Sequence, residues 1–361
     1  MSMGSFLKKL ILRGINNLAV VLCYIFCLTF SGSAAPPLPE DLHKWALSSL
    51  DNVYNEELKE AEEVARRIIR KYPDHPAGYF IQAVVIDAWM LKFQSNKKEN
   101  ELYRYCDLAI EKGEKLLSKE PGNEWAKFFI GGADGYKGTY EARYERWITA
   151  FRFGWKGVSV LLELQDSKSD IIDINYGVGS YDYWRSALMK TLWWMPGIED
   201  KRESGIQKLY KARQRGVYTK NFASSALVDI LLNEKRFEEA LKIADEMLER
   251  YGSSTVFQWG RARSLFGLKR YDEASKSIQV ILSRVEADPQ DNHYNAALCH
   301  LWLAKIALES GQFDQVIAEC NRIGHYVFND EIKKRLDKPF SEARDLRKRA
   351  LSAQQKAEEK Q

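Results

Sequence analysis

At 361 residues, the chain is long enough to make one globular core inefficient. A row of repeated units, in which each unit contacts only its neighbours, has no such limit. Hydrophobic residues make up 45% of the chain and aromatic residues 12%, which excludes a disordered chain and predicts much buried ring surface. The formal net charge is +4, and three of the 54 basic residues lie within residues 1–35, which contain no acid. The remaining 51 basic and 50 acidic residues nearly balance, which gives no reason to predict binding to nucleic acid or to an anionic membrane.

The N-terminus has the layout of a secretory signal peptide over residues 1–35. An apolar run from Leu18 to Phe30 follows a basic start, and the small residues Ser33-Ala34-Ala35 precede two prolines. The run is shorter than the roughly 20 residues that a membrane-spanning helix needs. We therefore expect cleavage near Ala35 and no stable membrane span afterwards, with a retained anchor as the alternative.

Residues 36–121 predict two antiparallel helix pairs. Apolar residues recur every three or four positions in Leu42–Tyr54 and Glu56–Lys71, and prolines end the second of these helices. The next pair is longer, with the strongly apolar Ala77–Phe93 and the returning helix Glu101–Leu117. Connections this short join antiparallel neighbours.

Residues 122–220 predict two elongated pairs that are rich in aromatic residues and glycine. The first combines Asn123–Tyr140 with Arg143–Leu164, and the second combines Asp170–Leu192 with Glu203–Arg213. An aromatic corner, Leu192 to Gly197, follows the third of these helices. One side of the helix that starts at Arg143 should carry a row of three apolar residues, namely Trp147, Phe151 and Val158.

Four glycines lie within one predicted helix, where each costs about 1 kcal/mol relative to alanine. They are Gly131, Gly132, Gly135 and Gly138. Either two helices cross here at short distance, or the backbone contacts a ligand. We favour the close crossing, because no Gly-Lys-Ser/Thr sequence of a phosphate-binding loop follows.

Residues 221–324 contain the clearest internal repeat. Lys235–Ala240, of sequence Lys-Arg-Phe-Glu-Glu-Ala, returns 34 residues later as Lys269–Ala274, of sequence Lys-Arg-Tyr-Asp-Glu-Ala. In the first copy the motif opens the amphipathic helix Phe237–Arg250, which we expect to end at Gly252 in a left-handed conformation.

A third copy has its turn at Gly311-Gln312-Phe313, between the predicted helices Leu301–Leu308 and Val316–Ile323. Residues 325–361 follow as a strongly charged segment. We expect its helix to cap the last repeat with a polar face, which a row of repeats needs to stay soluble.

The 34-residue period and its motif resemble the tetratricopeptide repeat, clearly over residues 221–324 and weakly over 42–121. The central Tyr176-Gly-x-Gly-x-Tyr-x-Tyr-Trp184 resembles secreted bacterial proteins of this repeat type that have no assigned role. Leu227-Val228 departs from the usual Leu-Gly of the repeat. The resemblance implies an all-α fold, a right-handed α-solenoid of antiparallel helix pairs. It also implies a periplasmic scaffold that binds a partner protein or peptide in a concave groove, and it transfers no catalytic residue.

The aromatic and basic residues of the middle section are the candidates for contact with a partner, because tyrosine, tryptophan and arginine are favoured at binding hot spots. For each of them the alternative is that it fills the interior of an oversized helix pair. The candidates are Tyr136, Tyr140, Tyr144, Tyr176, Tyr181, Tyr183, Trp184 and Arg185.

Two alternatives to a non-catalytic scaffold stay open. The first is an envelope hydrolase that uses Asp134 and Asp182 as a carboxylate pair. None of the five histidines has a nucleophile or carboxylate partner in a recognisable pattern, which argues against an enzyme. The second alternative is a structural solenoid whose ends stack into a homo-oligomer.

The sequence predicts no cofactor and no metal site. It contains no Cys-x-x-Cys motif, and Gly177-x-Gly179 lacks both the third glycine and the preceding strand of a dinucleotide fingerprint. Cys299 and Cys320 would face each other across one helix pair. A disulfide between them and two free thiols are both compatible with the sequence, and we expect free thiols because disulfide geometry is strict.

Overall fold

The computed structural model describes residues 38–190 and 199–358, and within them the side chains of all residues except 189, 190, 357 and 358. The chain divides into two units, Met1–His43 and Lys44–Gln361. The predicted signal peptide and the aromatic corner after the middle helix both lie outside the described residues.

All regular elements of the described residues are α-helices, as the sequence predicts. From α2 to α14, consecutive helices pack against each other along the chain, and α1–α14 form seven pairs. The predicted all-α solenoid of helix pairs is therefore confirmed. The helices are α1 (Glu40–Tyr54), α2 (Leu58–Lys71), α3 (Pro76–Phe93), α4 (Glu99–Lys119), α5 (Glu124–Arg143), α6 (Trp147–Asp166), α7 (Ile174–Lys190), α8 (Arg202–Arg215), α9 (Lys220–Asn233), α10 (Phe237–Arg250), α11 (Thr255–Gly267), α12 (Tyr271–Ala287), α13 (Tyr294–Glu309), α14 (Phe313–Ile323), α15 (Asp330–Arg335) and α16 (Asp337–Glu358).

Five pairs share one turn geometry. In each, the residue two positions before the start of the second helix has a left-handed backbone, with φ between 58° and 71°. The amide that follows then donates to a carbonyl in the last turn of the first helix, as Arg236 does to Leu231 at 2.8 Å. The turn therefore extends the repeat to pairs in which the sequence motif is not visible. The left-handed residues are Glu56, Glu145, Lys235, Lys269 and Gly311.

Two details of the sequence prediction are wrong. Gly252 has no left-handed backbone, because α10 already ends at Tyr251, which has a φ of −120°. The helix predicted to start at Arg143 begins only at Trp147, because the left-handed turn at Glu145 separates α5 from α6.

Glycines bring α5 and α6 into backbone contact. A β-carbon on Gly157 would lie 2.6 Å from the carbonyl oxygen of Gly131 and 2.6 Å from the amide nitrogen of Gly135. A β-carbon on Gly138 would lie 2.7 Å from the nitrogen of Gly154. The close crossing that the sequence predicts is therefore confirmed, and the distance between the two helices requires glycine at 131, 138 and 157.

The row of helices turns back on itself within Lys44–Gln361. The ring of Tyr54 at the end of α1 packs 5.4 Å from Phe222 and 5.8 Å from Phe257, between ring centroids. Nearby, Arg250 donates to Asp51 at 3.1 Å, a contact between residues 199 apart in the chain. The first helix pair is therefore in contact with the fifth and sixth.

A second closing contact lies one pair further along. Asn295 donates to the carbonyl of Lys92 at 2.8 Å, and Lys92 forms an ion pair of 3.1 Å with Asp288. Arg335 of α15 donates to the carbonyl of Gln94. Both ends of the row thus hold the middle section between them.

At the C-terminal end, α16 packs its apolar residues Ala343, Leu346 and Ala350 against the last pair, α13–α14. Its remaining surface is strongly charged. The segment that follows α14 therefore covers the apolar end of the row.

Substitution of Gly157 by alanine should lower the free energy of unfolding by about 1–3 kcal/mol, because the methyl group must displace the backbone of α5. Gly154→Ala is the matched control, since a β-carbon there meets nothing within 4 Å. The control should gain up to about 1 kcal/mol from helix propensity. Urea unfolding measures both, and equal behaviour of the two variants would contradict the close crossing.

A second prediction concerns His75, which caps α3. Its Nδ1 accepts from the amide of Ala77 at 3.2 Å, and burial lowers the pKa of His75 to about 4. The unfolded chain binds the proton below about pH 6.5, so the native state loses stability as pH falls from 6.5 towards 4. His75→Asn keeps an acceptor at the cap but does not titrate.

Between pH 7 and pH 5, the wild type should therefore lose about 2 kcal/mol more than His75→Asn. Urea unfolding at the two pH values gives this difference directly. Identical losses in the two proteins would show that His75 is accessible to protons in the native state.

Candidate functional site

Two of the candidates belong to the core. Tyr140 and Tyr183 are fully buried. The hydroxyl of Tyr183 donates to the carboxylate of Glu234 at 2.9 Å and accepts from the amide of Asn233 at 2.6 Å. Tyr183 therefore connects α7 to the end of α9 and is not available to a partner.

Three tyrosines from distant parts of the chain meet inside the row, and we call them the inner tyrosine cluster: Tyr54, Tyr136 and Tyr176. The ring of Tyr136 packs edge-on against Phe80, with centroids 5.5 Å apart. The rings of Tyr54 and Tyr176 both pack against Phe222, at 5.4 Å and 6.0 Å. The cluster thus draws on α1, α5 and α7, and two of its members were predicted from the sequence.

The environment of the cluster is enclosed and negative. Burial raises the pKa of Tyr136 well above its usual value of about 10, and burial together with the carboxylate of Asp87 raises the pKa of Tyr176 to about 12. Arg143 holds Asp87 in place with two hydrogen bonds of 2.9 Å and 3.1 Å. The phenols are therefore kept in their neutral, hydrogen-bond-donating form.

Two hydroxyls of the cluster lack partners. Those of Tyr136 and Tyr176 form no hydrogen bond with any other described residue, and both side chains keep part of their surface in contact with solvent. The hydroxyl of Tyr54 lies 3.4 Å from that of Ser225. Both hydroxyls therefore keep a donor that is free for a bound segment.

Tyr144 stands beside this cluster between two guanidinium groups. Arg146 lies 5.4 Å from its ring centroid, and Arg335 of α15 lies 5.0 Å from it. Its ring also packs on Tyr140 at 4.8 Å. Tyr144 is half-buried, and its face is occupied by the chain's own cations.

The three remaining candidates, Tyr181, Trp184 and Arg185, lie on a different side of α7. At 100° per residue, Arg185 points about 180° away from Tyr176. Trp184 is exposed, and Tyr181 packs 6.1 Å from Trp155 of α6. The structure therefore divides the predicted site into three parts. Tyr140 and Tyr183 form a core pair, Tyr136, Tyr144 and Tyr176 form an inner group, and Tyr181, Trp184 and Arg185 form an outer group.

The outer group continues along α6. Of the predicted row on that helix, only Val158 is buried, whereas Trp147 and Phe151 are exposed, as are Ile148 and Trp155. The first half of this side of α6 is therefore at the surface.

The two carboxylates considered for catalysis are each held by lysines. Asp182 forms an ion pair with Lys208, and Asp134 lies 3.0 Å from Lys156 and 3.9 Å from Lys137. The two carboxylates lie on different helices, α5 and α7, and each has its own lysine partner, so they do not form the predicted pair.

Within residues 38–190 and 199–358, no group of three or more His, Cys, Asp or Glu side chains is arranged to hold a metal. Cys106, Cys299 and Cys320 are free thiols, and burial raises the pKa of all three. The same residues contain no helix long and apolar enough to cross a membrane.

Sequence reasoning missed the partners that complete the inner cluster. Tyr54, Asp87 and Phe222 come from three different helix pairs, and only the folded row brings them together. One signal was present, because Asp87 is the sole charged residue in the first fifteen positions of the otherwise apolar α3. A lone acid in such a helix needs a partner, and Arg143 supplies it.

No family model matches the chain, and no curated protein matches it. Nine chains of solved structures match it. One is a tetratricopeptide repeat protein from Parabacteroides merdae, 15% identical, with a match that covers 84% of this chain and 99% of that one at a TM-score of 0.36. A TM-score this low carries no argument. The tetratricopeptide-repeat-like fold rests on the chain's own helix pairs and their 34-residue spacing.

The role of Tyr183 can be tested with Tyr183→Phe, which should lower the free energy of unfolding by about 1–2 kcal/mol, because two buried hydrogen bonds are lost. Tyr181→Phe is the matched control, since that half-buried hydroxyl bonds to no other described residue. Urea unfolding distinguishes the two. An unchanged unfolding midpoint for Tyr183→Phe would show that the hydroxyl of Tyr183 does not stabilise the core.

Proposed function

We propose that the chain is a non-catalytic scaffold that holds an extended segment of a partner protein against the inner tyrosine cluster. The observation that supports this most directly is the pair of enclosed, unpaired hydroxyls of Tyr136 and Tyr176. Curved rows of helix pairs generally use their inner surface for binding.

An extended peptide suits this surface because its backbone offers carbonyl groups at regular spacing. Each free phenol can donate to one carbonyl, and hydrogen bonds to the main chain give affinity without requiring a particular side chain. The aromatic rings of Phe80 and Phe222 beside the hydroxyls offer apolar contact to the peptide's side chains.

A non-catalytic role is favoured over a hydrolase because Asp134 and Asp182 are each neutralised by lysine. A location outside the cytoplasm, in the periplasm, is proposed from the N-terminal sequence alone, whose basic start and apolar run are typical of a signal peptide. The binding proposal does not depend on this location.

The test is the double substitution Tyr136→Phe and Tyr176→Phe, which removes both hydroxyls and keeps both rings. A chain that begins at Pro36 retains the whole unit Lys44–Gln361 and serves as bait in a pull-down from the periplasmic fraction. We expect the captured protein to bind the double variant on the order of tenfold more weakly, from the loss of two hydrogen bonds. Thermal melting should be unchanged.

Tyr105→Phe with Tyr271→Phe is the control, because these hydroxyls lie outside the cluster and bond to no other described residue. Equal capture by wild type, variant and control would contradict the proposal. Capture of the chain's own copies alone would instead favour the self-assembling solenoid, which light scattering would then confirm.

A further inference from the structure

An exposed aromatic surface runs along the first half of α6 and across to α7. We call it the outer aromatic face, and it consists of Trp147, Ile148, Phe151, Trp155 and Trp184. Ile148 is 90% exposed and the other four are 48–57% exposed. Single exposed apolar residues are ordinary, but a contiguous group of this size marks an interaction surface.

Comparison with the other helix pairs shows that this exposure is specific to the pair α5–α6. Trp147 is the first residue of its helix after the shared left-handed turn, the same position as Phe237, Tyr271 and Phe313. Those three rings are half-buried and pack into the apolar clusters of their own repeats. Trp147 has the same place in the turn, but most of its ring faces solvent.

The face is bordered by positive charge. On the helical wheel of α6, Trp147, Phe151, Trp155 and Ile148 span an arc of about 100°, and Arg152 follows directly beside it. Lys156, further round the helix, is held 3.0 Å from Asp134 and is not counted among these cations. From Trp147 to Leu162 the chain contains no acidic residue. On α7, Arg185 lies beside Trp184, and the one nearby acid, Asp182, is buried and paired with Lys208.

Tryptophan rings and basic side chains together are the composition that binds the surface of an anionic bilayer. Indole rings are favoured at the level of the lipid headgroups, and arginine or lysine next to them is attracted to lipid phosphates. Helices that lie in the plane of the interface show this division, with an apolar arc flanked by cations.

We propose that the outer aromatic face docks the chain on an anionic phospholipid bilayer, with α6 lying along the surface. The shape of the face favours lipid over a folded protein. Its side chains protrude from the convex surfaces of two helices, whereas hot spots between proteins fill matching pockets. A bilayer needs no matching pocket, because lipid chains rearrange around each inserted ring.

The proposal goes beyond the chain's overall charge balance. The formal net charge of +4 over 361 residues offers little attraction to a membrane. The relevant quantity is local, because charges further from the surface than the Debye length of about 8 Å are screened. Only the cations beside the rings, Arg152 and Arg185, contribute. The acids of α6, Glu163 and Asp166, lie about 12 Å or more beyond Trp155 along the helix axis.

The experiment measures binding of the chain from Pro36 onward to vesicles of equal parts phosphatidylglycerol and phosphatidylcholine. We expect binding to these vesicles, and binding at least on the order of tenfold weaker to phosphatidylcholine alone or in high salt. Co-sedimentation gives the affinity. A blue shift of tryptophan emission on binding would report transfer of exposed indoles into the interface.

Two variants separate the contributions of the rings and the charges. Trp147→Ala with Phe151→Ala and Trp155→Ala should abolish both sedimentation and the blue shift. Arg152→Gln with Arg185→Gln removes the cations without touching the core, and it should weaken binding on the order of tenfold. The second variant keeps the proposal falsifiable even where the first is unstable.

Matched controls carry the same changes at exposed sites elsewhere. They are Val256→Ala with Val327→Ala, and Arg344→Gln with Lys348→Gln. Both should sediment with vesicles like the wild type. Tyr136→Phe with Tyr176→Phe should do so too, which distinguishes lipid binding from partner binding at the inner tyrosine cluster. The proposal would be overturned if the wild type does not bind anionic vesicles, or if the ring and charge variants bind them as the wild type does. So would a protein captured through the outer aromatic face without any vesicle binding.

Discussion

The contact on which the rest of this structure depends is the one that Tyr54 makes with Phe222 and Phe257. A row of helix pairs that stayed open would leave its inner surface in bulk water. Here the end of the first helix packs against the fifth and sixth pairs, so the inner surface becomes enclosed. Enclosure raises the pKa values of Tyr136 and Tyr176.

In the middle section of this enclosed row, glycines let neighbouring helices approach closely. Gly131 and Gly157 let α5 and α6 approach to backbone contact, and Gly179 and Gly205 do the same for α7 and α8. The clear repeats use other small residues, such as the buried Ala240 and Ala274. Two central pairs therefore pack more closely than pairs separated by alanine, because a hydrogen replaces a methyl group at each crossing.

The sequence predicts the helices and their pairing well, because hydrophobic periodicity and the 34-residue motif are local signals. It predicts the candidate site only in part. Composition identifies Tyr136 and Tyr176, but it also selects Tyr183, whose burial depends on Glu234 and Asn233 of another pair. It misses Tyr54 altogether, because that ring reaches the site only through a turn of the whole row. Contacts across many repeats leave no periodic trace in the sequence.

One helix links the two surfaces. On α7, Tyr176 faces the enclosed interior and Arg185, nine positions later, points about 180° away toward the outer aromatic face. Between them Tyr183 anchors the helix to α9, so neither surface can rotate toward the other without breaking buried hydrogen bonds. Occupation of one surface therefore leaves the other free. If both proposals hold, the chain would bind a partner segment at the inner tyrosine cluster while α6 lies on lipid at the outer aromatic face.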